Sequence, residues 1–251
     1  MIDSYPDTFA VVEYHVWDGY ELPWGANRGQ VFYANIFQGT PCFVYDGLWD
    51  AWPISTYITK FVAQQAVPST VTMSVGAEAV GGETYEVTIR TCLEPGAPSV
   101  ALRIYAVGVE DRYPSVPNYS RNTFRVATST SDVTLAAGEC DVQVRNITIA
   151  PVVSEKGLKI IVWAQEPFSS WPADVYQSAK ELWPFDVLPI TGDYDNDGDT
   201  DMDDYLEFPG CMSGPDPAVP PPPECLSAFD SDSDSDVDTE DFQAFTLSYT
   251  G

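Results

Sequence analysis

The chain has 251 residues, of which 44% are hydrophobic and 13% aromatic, enough apolar material for packed cores rather than wholesale disorder. Its 38 Asp and Glu stand against 11 Lys and Arg, a net charge of −27. That sign excludes nucleic acid and anionic membrane surfaces as partners, since both select clustered Lys and Arg. No apolar run approaches the roughly 18 residues of a bilayer-crossing helix, so membrane insertion is not expected. The opening residues, MIDSYPDTFA, have neither the basic nor the apolar part of a secretory leader and do not read as one.

In chain order, FAVVEYHVW (9–17) reads as a buried strand. Asn27 is expected to cap a helix running to about Phe37. Gly39 to Gly47 reads as a turn, a strand and a turn. Pro53 to Ala66 has helical spacing, with Ile54, Tyr57, Ile58, Phe61 and Val62 on one face and Pro53 suited to the first turn. His15 has no identifiable nucleophile nearby, so a structural role is expected. Trp17, Trp24, Trp49 and Trp52 could form a sugar-stacking platform, but core packing is the expectation. Thr40-Pro41, entering an apolar strand that ends at Asp46-Gly47, resembles the later part of a thioredoxin fold. In that family the proline is cis and lies beside a redox CxxC. This chain contains no CxxC, so the resemblance implies a partial thioredoxin-like α/β segment over residues 1–67. Cys42, beside that proline, reads as a packed thiol.

From Ser69 to about Gln165 the pattern is β. TVTMSVGAE, ETYEVTIRT, SVALRIYAVGVE, TFRVATST, CDVQVRNITIA and LKIIVWAQE alternate or run apolar. Gly81-Gly82, Pro95-Gly96 and Ala137-Gly138 supply turns. Strands at this spacing predict an antiparallel β-sandwich over residues 69–188. A thioredoxin-like segment followed by a sandwich resembles, over about residues 1–185, the secreted outer-membrane-protein-related family.

The composition then changes. Asp193 to Gly251 holds 17 Asp and Glu and no Lys or Arg, which places a domain boundary near residue 190. Within residues 190–251 two twelve-residue windows repeat: DYDNDGDTDMDD from Asp193 to Asp204 and DSDSDSDVDTED from Asp230 to Asp241. Each has Asp at positions 1, 3, 5, 7, 9 and 12 and is followed by aromatic residues, Tyr205 and Phe208 or Phe242 and Phe245. A calcium ion takes about six to eight oxygens, and an EF-hand-type loop offers them from alternate positions. The sharp turn at position 6 suits Gly198 in the first window, whereas Ser235 stands there in the second. Seven acids in twelve residues repel one another unless a cation lies between them.

Paired calcium loops that each lead into a single short helix resemble a dockerin module. Residue by residue, the resemblance implies Ca²⁺ ligands at Asp193, Asp195, Asp197, Asp199 (carbonyl), Asp201 and Asp204. The second set is Asp230, Asp232, Asp234, Asp236 (carbonyl), Asp238 and Asp241. It implies two calcium sites and a cohesin-like protein partner. The proline-rich linker GCMSGPDPAVPPPPEC departs from the helix-bearing linker of cellulosomal dockerins.

Of the five cysteines, Cys211 and Cys225 bracket that linker, and a bridge there would clamp the two half-sites together. Cys92 and Cys140 could bridge neighbouring strands or remain free thiols. Bridges would place the protein in an oxidising compartment. The chain therefore reads as a multidomain α+β protein of extracellular or cell-envelope location, non-catalytic and attached through its calcium module. Alternatives are a non-catalytic subunit of a polysaccharide-degrading assembly and a remnant of a thiol–disulfide oxidoreductase lacking its CxxC.

Overall fold

A computed structural model describes residues 10–15, 19–35, 44–46, 49–50, 59, 61–63, 66–114, 119–185, 192–194, 200–215, 217, 220–231 and 235–249. The chain divides into two units, Met1–Leu188 and Pro189–Gly251.

The first unit is built on two antiparallel sheets. One has the order β10-β4-β3, formed by β3 (Val71–Gly81), β4 (Thr84–Leu93) and β10 (Cys140–Thr148). The other runs β12-β11-β5-β8, formed by β5 (Val100–Glu110), β8 (Thr123–Ala127), β11 (Leu158–Gln165) and β12 (Val175–Leu182). A further strand, β9 (Ser131–Leu135), pairs with the first half of β5, where β8 pairs with its second half. Two-residue pairs complete the strands among the described residues: β1 (Val44–Tyr45) with β2 (Trp49–Asp50), and β6 (Tyr113–Pro114) with β7 (Tyr119–Ser120).

Alternate residues of β4 (Tyr85, Val87, Ile89) meet alternate residues of β5 and β11 (Leu102, Ile104, Ile160, Val162) in a shared core. The side chains of Val87, Ile89, Leu102, Ile104, Ile160 and Val162 are all fully buried, each worth about 1.5–3 kcal/mol relative to exposure. Gly108 lies on the inner face of β5, where an added Cβ would come within 2.6 Å of Ile149. Cys92 and Cys140 are directly opposite in the β4–β10 register and are joined by a disulfide.

Along β5 and β11 the larger sheet is buried on both faces. Its outer residues Tyr105, Val107, Val109, Phe124, Ile161 and Trp163 are covered by Ala10, Val12, Tyr14, Leu22 and Trp24. This explains why β5 and β11 read as near-continuous apolar runs rather than clean alternations. Trp24, partly buried, stacks on Phe124 at 5.1 Å and packs against this cluster.

Several local expectations need correction. Of the stretch expected as a full strand at 9–17, the described residues 10–15 form one isolated parallel bridge with the sheet, Glu13 to Thr123. Its side chains act as a cover rather than as a ladder. The helix expected from Asn27 instead begins at Pro23, with proline at its first position, and α1 (Pro23–Asn27) runs into a π-helical turn at Arg28–Phe32. Asn27 makes no side-chain cap bond. The wider turn accompanies a buried Arg28, 5% exposed, whose guanidinium lies 3.8 Å from the Phe32 ring centroid and donates to the Tyr105 hydroxyl at 3.1 Å. In the expected 53–66 helix, residues 59 and 61–63 are helical; Phe61 is buried, while Val62 is 48% exposed and leaves the expected apolar face. Pro41 and Cys42, which bear on the thioredoxin resemblance, lie outside the described residues, as do Trp17 and Trp52.

Among its described residues the second unit has three helices: α2 (Met202–Cys211), α3 (Pro223–Phe229) and α4 (Thr239–Ser248). Its core is aromatic. Phe208, Phe229 and Phe245 are 1%, 1% and 2% exposed, with ring centroids 4.8–5.8 Å apart. A disulfide joins Cys211 at the end of α2 to Cys225 in α3.

Candidate metal centre

The two repeated windows fold alike wherever both are described. In the first, Asp201 is the N-cap of α2: its carboxylate accepts from the Asp203 N–H at 2.8 Å. Asp204, 1% exposed, accepts from Tyr194 N–H at 2.6 Å and Asp201 N–H at 2.8 Å. In the second, Asp238 caps α4 and accepts from Glu240 N–H at 2.8 Å. Asp241, also 1% exposed, accepts from Ser231 N–H and Asp238 N–H, both at 2.8 Å. In window numbering, position 12 ties down positions 2 and 9 in both copies. Each capping box satisfies helix N–H groups, and each places anions at the positive end of a helix dipole.

Three carboxylates of the second window come together. Ligand-type oxygens of Asp236, Asp238 and Asp241 lie within 4.8 Å of one another, and Asp236 is 3% exposed. Two oxygens on opposite sides of a calcium ion, each at about 2.4 Å, are separated by about that span. The dockerin resemblance implies a backbone-carbonyl role for Asp236; its carboxylate also belongs to this group. Asp230 accepts from the Ser235 N–H at 3.1 Å, which folds the start of the loop across its middle. In the first window, Asp193 is 8% exposed. Asp195, Asp197, Asp199, Asp232 and Asp234 lie outside the described residues.

The donor set is entirely oxygen, the chemistry of a hard cation such as Ca²⁺ rather than of zinc or copper. Buried carboxylates require compensation, and residues 189–251 contain no Lys or Arg to give it. The residues present therefore fit a calcium ion.

Position 8 was not singled out by the repeat, yet Thr200 and Val237 are both fully buried there. The signal available was a β-branched residue inside an Asp-rich run. Gly192, just before the first window, has φ +96°, and a Cβ there would fall 2.7 Å from Thr200 and 2.9 Å from Phe245.

Ser235 occupies position 6 of the second window with φ +75°, in the left-handed region. Its N–H bond to Asp230 is a backbone bond and would survive substitution. Ser235→Gly is expected to stabilise the second unit by about 1 kcal/mol, by relieving the cost of a left-handed non-glycine residue. Denaturant unfolding of the two chains checks this; a less stable glycine variant would refute it.

No family model and no curated protein matches this sequence. Among solved structures, HBP35 of Porphyromonas gingivalis is similar over 68% of this chain, with 13% identity and a TM-score of 0.53. The match spans 62% of that chain's length. A domain of the outer membrane lipoprotein Omp28 from the same organism matches 49% of this chain and 93% of its own, at 12% identity and a TM-score of 0.30. The GH3 beta-glucosidase of Bifidobacterium adolescentis matches 48% of this chain and 18% of its own, at 17% identity and a TM-score of 0.29. At these identities the first likeness establishes fold alone, and the other two carry no argument.

Proposed function

We propose that residues 190–251 form a dockerin-like attachment module assembled by two calcium ions, carried by an extracellular or cell-envelope β-sandwich protein with no catalytic activity of its own. The observation that carries this reading is the convergence of Asp236, Asp238 and Asp241 in a unit whose sequence holds no cationic side chain. Asp193, Asp201 and Asp204, with Asp195, Asp197 and Asp199, would hold the first ion. Asp230, Asp236, Asp238 and Asp241, with Asp232 and Asp234, would hold the second. Calcium supplies charge neutralisation, which lets the aromatic core close beneath the loops.

The partner is a protein, cohesin-like in the manner of the family resembled. Leu206, Tyr205 and Phe242, 65%, 40% and 37% exposed, give α2 and α4 apolar surface for such a contact. The Cys92–Cys140 and Cys211–Cys225 disulfides fit an oxidising compartment outside the cytosol.

Binding free energy here is folding free energy. At free Ca²⁺ about 100-fold above the dissociation constant, the gain is about 2.7 kcal/mol per site. EDTA is expected to lower the melting temperature of the second unit and leave the sandwich transition in place. Identical melts in calcium and in EDTA would refute the reading.

A further inference from the structure

The smaller sheet of the first unit ends in a strand that the calcium reading does not use. Among the described residues β10 pairs with β4 alone, so its other side is a sheet edge. At the two ends of the β4–β10 ladder, Leu93 N–H donates to Glu139 O and Ile149 N–H to Glu83 O, both at 2.9 Å. Hydrogen-bonded pairs alternate along an antiparallel ladder, so the odd-numbered residues of β10 bond to β4. Val142, Val144 and Asn146 therefore aim their N–H and C=O groups at the open side, a template for another strand. The strand, CDVQVRNIT, has no Lys or Pro, and its register with β4 is unbroken.

The side chains say which strand fits. Val142 and Val144 lie on the outer face, 45% and 52% exposed. Asp141, Gln143 and Arg145 alternate with them on the inner face, half-buried. Gln143 stands between the two charges: its amide donates to Asp141 at 2.6 Å and its oxygen accepts from Arg145 Nη2. Arg145 also donates to Ser131 Oγ at 2.7 Å, Thr128 Oγ1 at 3.1 Å and Ile104 O at 3.4 Å. All of these acceptors are neutral. Burial pushes the guanidinium pKa down, and the charge of Asp141 opposes that push. Inward-pointing charges guard an edge against most strands. Here they also select one.

We propose that β10 pairs antiparallel with β10 of a second copy of this chain, about a two-fold axis at Gln143. That register sets Asp141 opposite Arg145 of the second copy, twice over. Val142 and Val144 then exchange backbone bonds with Val144 and Val142 of the other copy, and the four valines form one apolar patch. Neighbouring registers are worse. An axis at Val144 sets Asp141 against Ile147, which is 1% exposed. An axis at Val142 leaves Asp141 against Gln143 and offers Arg145 only Glu139, whose carboxylate is already held by Ala136 N–H at 2.6 Å. Axes at Asp141 or Arg145 set like charges on each other, which destabilises a strand pair. The net charge of −27 opposes association, so the dimer belongs to physiological salt, where charges more than about 8 Å apart are screened.

Sedimentation equilibrium of the full chain, in calcium and at that salt, tests this. The parent is expected to dimerise. Asp141→Arg alone and Arg145→Asp alone should each weaken the dimer at least about tenfold, because both symmetry-related pairs then become like-charged. An equal mixture of the two variants should dimerise again, since each then meets its opposite charge at both pairs. Melting temperatures report whether each variant is folded. Should Arg145→Asp fail to fold, Val144→Pro decides alone: it deletes an N–H that β4 does not use, and it should be folded and monomeric. The proposal is overturned by a monomeric parent, by a folded Asp141→Arg or Val144→Pro that dimerises like the parent, or by folded charge variants that stay monomeric when mixed.

Discussion

Asp241→Ala is expected to reduce calcium binding from two ions per chain to at most one and to leave the second unit largely unfolded. Asp241 is 1% exposed and accepts three bonds: from Ser231 N–H at 2.8 Å, Ser231 Oγ at 3.0 Å and Asp238 N–H at 2.8 Å. Hydrogen bonds to a charged acceptor contribute about 1.5–3 kcal/mol each. The alanine variant strands these donors and removes a cation ligand at once. A unit spanning Pro189–Gly251 holds about 3–9 kcal/mol of stability in all, so this loss takes most of it. Asp241→Asn separates the two roles: the amide oxygen still accepts a backbone bond, but the charge that holds the ion is gone. The asparagine variant should be more folded than the alanine variant and equally deficient in calcium. Asp204→Ala should reproduce the effect at the first window, because Asp204 makes the equivalent bonds. Full calcium stoichiometry in Asp241→Ala would contradict the assignment.

Glu110→Ala is expected to cost the first unit about 3–5 kcal/mol, the range for breaking a buried ion pair by removing one partner. Glu110 is fully buried at the end of β5. One oxygen pairs with the Arg125 guanidinium, whose side chain is 7% exposed. The other accepts from Val153 N–H at 2.9 Å and Ser154 N–H at 2.6 Å. Alanine therefore leaves a buried cation and two backbone donors uncompensated. Arg125 also donates to Pro151 O at 2.7 Å and lies 4.0 Å over the Tyr113 ring, so it is not free to swing into solvent. Denaturant unfolding at neutral pH reads the effect, and a loss below about 1 kcal/mol would show that Glu110 is not the tie between β5 and the 151–154 turn.

The strands that alternate or run apolar, β3, β4, β5, β8, β10 and β11, were legible because a half-buried or buried strand leaves a direct trace in hydrophobicity. Of the strands of five residues or more, β9 and β12 were not foreseen. β9 is five residues long and includes Ser131 and Asp132. β12, VYQSAKEL, carries helix-forming polar residues and joins the sheet edge through its register with β11, a case of tertiary pairing overriding propensity. The cover over the outer face had an indirect sign in the continuous apolar runs of β5 and β11, but nothing local in residues 10–24 said which segment would supply it. The π-helical turn at Arg28–Phe32 follows from a buried guanidinium that meets Tyr105 and Gln165, both far along the chain.

The candidate metal site was legible for the opposite reason: its spacing is local, and twelve residues suffice to state it. What spacing could not give was the role of the Asp236 side chain, which depends on how the loop turns at Ser235. The nearness of Arg103 to the 167–172 loop lay beyond sequence reading altogether. Arg103 and the 167–172 loop are brought together by the β5–β11 register, in which Arg103 stands opposite Gln165.

We propose, above all, the folding of residues 190–251 around calcium. Its most direct test is calorimetric titration of Ca²⁺ into the full chain after chelator stripping. Two ions bound per chain, with a gain in helical circular dichroism, is the result expected. An absence of binding heat, with a helical signal already complete in chelator, would contradict it.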